Sequence, residues 1–297
     1  MLATSALLAH TSDLNLVIRH VLSGLGHGIH AGRERGAGVE FSEYRAYSPG
    51  DEWRRVDWKL LARADRYYVR EAERDSHVAV WLWLDASASM AEASQSIKGL
   101  TKFAFARSVL ACVAAIAQRQ GDAFGLIIGS GKQIQFTPAA RGARQLQRVL
   151  AQLMRASPEG QFPDADTVRA SLHFARSPSL IFAVSDFLDS PSPMREALQR
   201  LRHMRHDVRA LCLQTQAERD GDFSLQTAYC DPERGTAVHG MSSEGKGDYL
   251  AQHTAHFSLL ATECKKHDIT LLNSCIEQPP ATVLRAWCRQ AGPKARV

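Results

Sequence analysis

The sequence predicts a doubly wound α/β domain on a mostly parallel sheet. From residue 77 onward, apolar runs rich in β-formers alternate with longer helical stretches. The stretches between successive strands are mostly long enough for the helical crossovers that parallel pairing requires. Two of the apolar runs also end in small polar and acidic residues, Leu84-Asp85-Ala86-Ser87-Ala88-Ser89 and Val184-Ser185-Asp186-Phe187.

In order along the chain, residues 1–76 form a flanking segment and 77–297 the α/β domain. In the flank, Asp13 to Leu22 has helical periodicity, and Gly24 to Gly38, with six glycines in fifteen residues, reads as a loop. Residues 40–75 hold eight basic and nine acidic side chains, a near balance that lets them satisfy one another. The domain opens with His77 to Leu84 (HVAVWLWL), apolar at every position after the first and therefore a strand buried on both faces. A long helix is expected over Ile97 to Gln118, a strand over Ala123 to Ile128, and a partner strand at Gln133 to Phe136. Gly142 to Met154 places Leu146, Val149, Leu150 and Leu153 on one helical face. A short helix over Asp166 to Phe174, a strand over Leu180 to Val184, a helix over Met194 to Met204 and a strand over Val208 to Leu213 follow. The domain closes with a helix over Tyr249 to Lys266, a strand over Ile269 to Leu272 and a helix over Thr282 to Gln290.

Composition excludes several classes. Hydrophobic residues at 45% and charged residues at 23% are those of a globular chain, not a disordered one. A net charge of +5 permits an acidic partner without indicating nucleic acid. The six cysteines show no metal or redox spacing and are expected to be reduced, buried thiols. The longest uncharged apolar run, Ser108 to Gln118, is too short to span a bilayer, and Met1 to His10 lacks the basic start of a signal peptide. The expected compartment is the cytoplasm.

The candidate chemistry lies at the two polar strand ends. In a doubly wound sheet, ligands bind beyond the carboxyl ends of the strands, where the strand order reverses. If the two strands are neighbours there, Asp85 and Asp186 share a crevice. Ser87 and Ser89 sit two residues apart on the following turn, so their hydroxyls can point the same way. Asp164-Ala165-Asp166-Thr167, between the strands, offers another hydroxyl from Thr167. This all-oxygen set suits a hard divalent cation such as Mg²⁺ or Mn²⁺. The same residues are also ordinary turn and helix-cap residues, with Thr167 serving its own helix.

At Asp85, Ser87, Ser89, Thr167 and Asp186 the chain resembles a von Willebrand factor A domain with a metal-ion-dependent adhesion site. The resemblance implies a six-stranded Rossmann-like sheet with a divalent ion at its top. Upstream, Glu40-Phe41, Tyr44-Arg45, Tyr47, Gly50-Asp51, Arg54, Arg55, Asp57-Trp58-Lys59 and Ala62-Arg63 form a long pattern. It resembles the bacterial domain of unknown function numbered fifty-eight, whose members carry von Willebrand factor A-like domains and are associated with MoxR-type AAA+ ATPases. Asp231-Pro232-Glu233-Arg234-Gly235 is a looser match. Many relatives have two membrane helices before this region, and no membrane insertion is expected here. Arg54, Arg55, Asp57 and Trp58 either cap the sheet or form a docking surface for the ATPase.

The expected function is that of a non-enzymatic, metal-dependent interaction protein, an adaptor or co-chaperone for a MoxR-type ATPase and a protein client. No P-loop, nucleophile elbow or zincin motif is present. The alternatives are a hydrolase using the Asp/Ser metal site, and a nucleic-acid-binding protein using Arg195, Arg200, Arg202, Arg205 and Arg209. His203 and His206, among these arginines, are expected at the surface.

Overall fold

The alternation of side chains along the first strand of the α/β domain organises its interior. In a computed structural model of the chain, that strand sends Val80, Leu82 and Leu84 into one apolar layer and Trp81 and Trp83 into another. The structure describes residues 13–25, 43–46, 67–71, 79–131, 133–172, 177–189, 192–223, 229–233, 237–238 and 243–289. In chain order the elements are α1 (Leu14–Leu25), β1 (Glu43–Ala46), β2 (Tyr68–Glu71), β3 (Ala79–Asp85), α2 (Lys102–Gln120), β4 (Phe124–Ser130), β5 (Gln133–Ala140), α3 (Ala143–Arg155) and α4 (Ala165–Ser171). There follow β6 (Ser179–Ser185), α5 (Pro193–His203), β7 (Asp207–Gln214), α6 (Gln216–Asp220), β8 (Tyr229–Cys230), β9 (Ala237–Val238), α7 (Ser243–Lys266), β10 (Thr270–Cys275) and α8 (Pro280–Arg289).

The main sheet has the order β10-β7-β6-β3-β4-β5. All neighbours are parallel except β4 and β5. The chain winds outward from β3 through β4 to β5, then returns to β6 and winds the other way, so the order reverses between β3 and β6. This is the predicted doubly wound α/β fold, with the strand order of the Rossmann type.

The two apolar layers occupy opposite faces of the sheet. One joins the even-numbered residues of β3 to α1, α2, α3 and α8 and includes Phe124, Leu126 and Trp287. The other joins Trp81, Trp83 and Ile127 to α4, α5 and α7. Helix α2 is buried along most of its length because α1 and α8 both pack against it.

Four differences from the sequence reading have physical causes. Helix α2 starts at Lys102 rather than Ile97, because Thr101 caps it with a side-chain bond from the Ala104 amide at 3.0 Å. The loop that follows β7 contains α6, closed by a capping box in which Thr215 and Glu218 bond each other's backbone amides. His206 is buried, not superficial, and its Nδ1 accepts the Ser179 amide at 3.1 Å. The described residues fall into two compact units, 30–77 and the residues on either side of it, so α1 belongs with the α/β domain rather than with a flank ending at 76. Its buried Leu14, Val17, Ile18 and Val21 explain why. Within 30–77 the described residues form the antiparallel hairpin β1–β2, with Glu43 opposite Glu71 and Ala46 opposite Tyr68. The motif residues Arg54, Arg55, Asp57 and Trp58 lie outside the described residues.

Candidate metal and partner site

Asp85 is the last residue of β3, Ser185 is the last residue of the neighbouring β6, and Asp186 follows it directly. The parallel register between these strands brings the three side chains to one edge, at the switch point. Asp85 is buried, with 4% of its surface exposed. Its Oδ1 accepts the Ser87 amide at 2.9 Å and its Oδ2 accepts the Ser185 hydroxyl at 2.5 Å. Ser87 and Ser89 lie on the turn after β3, with their hydroxyl oxygens 3.1 Å apart. The turn is held from behind by backbone bonds: Ala86 N to Gly129 O, Ala88 N to Gly160 O and Glu159 N to Ala86 O.

Asp186 faces the other way electrostatically. Its Oδ2 accepts a 2.9 Å bond from Lys102 Nζ, which gives a second 2.9 Å bond to Glu218 Oε1. Lys102 is 1% exposed, a buried ammonium held by two carboxylates, one just beyond β6 and one on α6. Thr215 fixes Glu218 in turn, its amide reaching Oε2 at 2.7 Å. Lys102 stands in the first turn of α2, where the helix dipole opposes a positive charge; its two carboxylates supply the compensation.

The two aspartates therefore differ. Asp186 has a cationic partner. Burial, and then the nearby Asp186 charge, push the Asp85 carboxyl up to about 7, with hydrogen bonds from Ser185 and Ser87 opposing the rise. Asp85 thus carries a charge that the protein solvates poorly, beside two serine hydroxyls. A hard cation fits that deficit, and the donors Asp85, Ser87 and Ser89 are the oxygen set it prefers.

The residue after Asp186 is strained. Phe187 takes φ 52°, the left-handed region, although it is not glycine. It is held there by its amide bond to Ser185 Oγ at 2.9 Å and by His256 Nε2 against its carbonyl at 2.8 Å, while its ring is buried. The strain turns the chain sharply at the rim of the site.

Thr167 lies in the first turn of α4. Asp164 caps that helix, its Oδ1 accepting the Asp166 amide at 3.0 Å and the Thr167 amide at 2.8 Å. The geometry thus brings Asp85, Ser87, Ser89 and Asp186 together, whereas the hydrogen bonds of Thr167 run to Asp164.

Two features were missed in the sequence. Lys102 was legible as a lysine opening an otherwise apolar helix, and Glu218 as the fourth residue of a Thr-x-x-Glu capping box directly after a strand. A further carboxylate, Glu233, stands on the loop after β8, where its charge is felt together with those of Asp189, Asp186 and Asp231. Burial raises its carboxyl above the usual range, and Asp189 adds to the rise. Beside the site is a cavity of about 360 Å³, lined by Leu188, Leu213, Phe223, Tyr249 and Phe257 together with Lys102, Asp186 and Glu218.

Two of the five arginines of the arginine-rich stretch are engaged within the protein. Arg209 donates to the Cys288 carbonyl at 2.7 Å and to Asp207 at 3.1 Å, and Arg202 pairs with Asp268 at 3.7 Å.

A Rossmann-type six-stranded sheet whose first strand ends in Asp-x-Ser-x-Ser at the switch point defines a von Willebrand factor A-like domain. The chain belongs to the family described as "Protein of unknown function DUF58", which it matches over residues 43–256. Uncharacterized proteins of Mycobacterium tuberculosis and Mycobacterium bovis are 29% identical over 232 residues, covering 75% of this chain and 71% of theirs. Among solved structures, the SpRpn10 VWA domain aligns with TM-score 0.43 at 10% identity, covering 70% of this chain and 94% of that one. An aerotolerance-related membrane protein of Bacteroides fragilis aligns with TM-score 0.41 at 13% identity, covering 72% and 100%. BatB of Bacteroides thetaiotaomicron aligns with TM-score 0.38 at 15% identity, covering 64% and 98%. No described helix is long and apolar enough to cross a membrane.

Proposed function

We propose that this chain is a non-enzymatic interaction protein that recognises its partner at the switch-point edge of the sheet. In this reading a divalent cation, Mg²⁺ or Mn²⁺, is held by Asp85, Ser87 and Ser89. Asp186 is positioned by Lys102, and Thr167 contributes through water or after leaving Asp164. The cation supplies a positive centre to which a carboxylate of a partner protein binds. The observation that carries the proposal is buried Asp85, whose carboxylate accepts the Ser87 amide and the Ser185 hydroxyl, set beside two serine hydroxyls 3.1 Å apart; burial pushes its carboxyl up to about 7. Such a group is poorly solvated as an apo site and well solvated as a cation ligand.

The partner system we propose is a MoxR-type AAA+ ATPase together with a protein client, with this chain acting as adaptor in the cytoplasm. That part rests on the family resemblance and on the motif around Arg54, Arg55, Asp57 and Trp58. A hydrolase is less well supported, since Ser87 and Ser89 hydrogen-bond each other and the buried His206 serves Ser179. The engagement of Arg202 and Arg209 within the protein takes two of the five arginines away from the nucleic-acid reading.

The test has two arms. Calorimetric titration with Mg²⁺ or Mn²⁺ should show one site that Asp85→Ala abolishes. Affinity purification with the wild-type chain in Mg²⁺, the wild-type chain in EDTA, and Asp85→Ala should recover an AAA+ ATPase or one dominant client only in the first lane. The same proteins in all three lanes would separate recognition from the cation and point to the 40–75 motif.

A further inference from the structure

We propose that the cavity beside the switch-point edge is a binding site for an organic cation, an ammonium or guanidinium head on an apolar body. The proposal concerns a separate site and does not depend on the metal ion.

The cavity follows from the sequence of α7. Tyr249, His253 and Phe257 recur every four residues, which puts their rings on one face of the helix. The ring centroids of Tyr249 and His253 are 5.6 Å apart, and those of His253 and Phe257 are 4.6 Å apart. Phe223, from the loop after α6, meets Tyr249 edge-on at 4.9 Å. The Tyr249 hydroxyl donates to the Glu218 carbonyl at 2.9 Å and so fixes its ring. With Leu213 of β7 these rings line the cavity of about 360 Å³. That volume is at the small end of the range for small-molecule sites. Leu188, 46% exposed, also lines it and gives it an apolar lip to solvent.

The polar wall is acidic. Among the described residues, four carboxylates line the cavity, Glu92, Asp186, Glu218 and Asp231, against one ammonium, Lys102. That ammonium is already held twice, at 2.9 Å by Asp186 and at 2.9 Å by Glu218. His253 adds no charge at pH 7.5, since burial lowers its pKa from 6.5. An entering anion would therefore meet a surplus of negative charge. A neutral ligand would leave that surplus as it is. A cation offsets it, and the faces of Tyr249 and Phe257 attract the same charge. In a partly closed space with apolar walls both attractions are stronger than in open water. The rings also forgo dispersion contacts wherever they border the cavity, and a ligand's apolar body restores them. A free amine and the arginine or lysine side chain of a partner protein present this same chemistry.

The experiment titrates the full chain at pH 7.5 with 2-phenylethylammonium, with 3-phenylpropanoate as an anion of similar shape, and with an acetylated and amidated Gly-Arg-Gly peptide. Calorimetry and saturation-transfer NMR follow the binding. The amine should bind at one saturable site, about tenfold or more tighter than the propanoate. Glu92→Gln, a change at an exposed position, should weaken the amine by about threefold. Tyr249→Leu keeps apolar bulk but removes the ring and should weaken it by about tenfold, while Tyr249→Phe keeps most of the affinity. Glu92→Gln keeps the test decisive if Tyr249→Leu fails to fold. Peptide binding with the same dependence on Glu92 and Tyr249 assigns the site to a partner's side chain, and amine binding without peptide binding assigns it to a free amine. Propanoate binding as tight as the amine, amine binding indifferent to both Glu92 and Tyr249, or no binding of either cation would overturn the proposal.

Discussion

Lys102→Met tests the charge architecture most directly. The substitution keeps the apolar stem and removes an ammonium with two 2.9 Å bonds, to Asp186 and Glu218. The side chains of Asp186 and Glu218 are 4% and 15% exposed, so Asp186 has almost no route to water and Glu218 a partial one. Removing one partner of a buried ion pair costs about 3–5 kcal/mol, because the other is left charged and unpaired. Partial recovery at Glu218 places the expected loss near the lower half of that range, about 3–4 kcal/mol. For a domain of this size each kcal/mol moves the melting temperature by about 2–4 °C, giving a fall on the order of 10 °C. Urea unfolding followed by circular dichroism at pH 7.5 measures the loss. The pH dependence has a definite sign. Attraction to Asp186 and Glu218 raises the Lys102 pKa despite burial, so its contribution is fully present below the unfolded value near 10.5 and constant from pH 5 to 9. A loss under about 1 kcal/mol at pH 7.5 would refute the claim that this ion pair holds β6 and α6 to α2.

Asp85 gives a slope of the same sign at lower pH. Its folded pKa, about 7, lies above its ordinary value of 3.8, so its contribution to stability falls as pH rises from about 4 to about 7. Asp85→Asn should flatten the difference between urea midpoints at pH 5 and pH 8, and saturating Mg²⁺ should flatten it in the unmodified chain; an unchanged slope in the variant would show that Asp85 does not titrate there. Gly125→Ala should destabilise by about 1–3 kcal/mol in chemical denaturation, because a Cβ at this point of β4 runs into the Trp81 ring and comes within 2.8 Å of the Thr137 carbonyl. A neutral Gly125→Ala would mean that Trp81, stacked on Phe136 at 5.3 Å, can move without penalty.

Much of the fold was legible because β3 is unambiguous. A run of Val, Trp and Leu at consecutive positions has only one comfortable place, a strand covered on both faces, and the crossovers follow from it. The Asp85-x-Ser87-x-Ser89 turn was legible for the same reason, since the end of a buried strand is where polar residues must emerge. What escaped was information carried by contacts remote in sequence. Lys102 and Asp186 are separated by 84 residues, and nothing local marks their pairing. His206 looked superficial among arginines because a neighbour's composition says nothing about which way a side chain turns at the start of a strand. Helix α1 was assigned to the flank because its partners, α2 and α8, come later in the chain. Thr167 illustrates the reverse limit: its residue type suited two roles, and the capping bond to Asp164 is decided by a distance of three residues that the sequence displays without ranking.

Because α1 precedes residues 30–77 yet contributes four buried side chains to the later α/β core, the 30–77 unit is spliced into its host at two covalent points instead of trailing from one. A unit sewn in at both ends is constrained by two linkages, so it keeps less conformational freedom than a tail of the same length. The same stitching sets where the chain can be cut. Separating the unit by starting at residue 77 removes Leu14, Val17, Ile18 and Val21 from the interior and bares the flank of α2, so no single cut of the chain parts the two units without loss to the core.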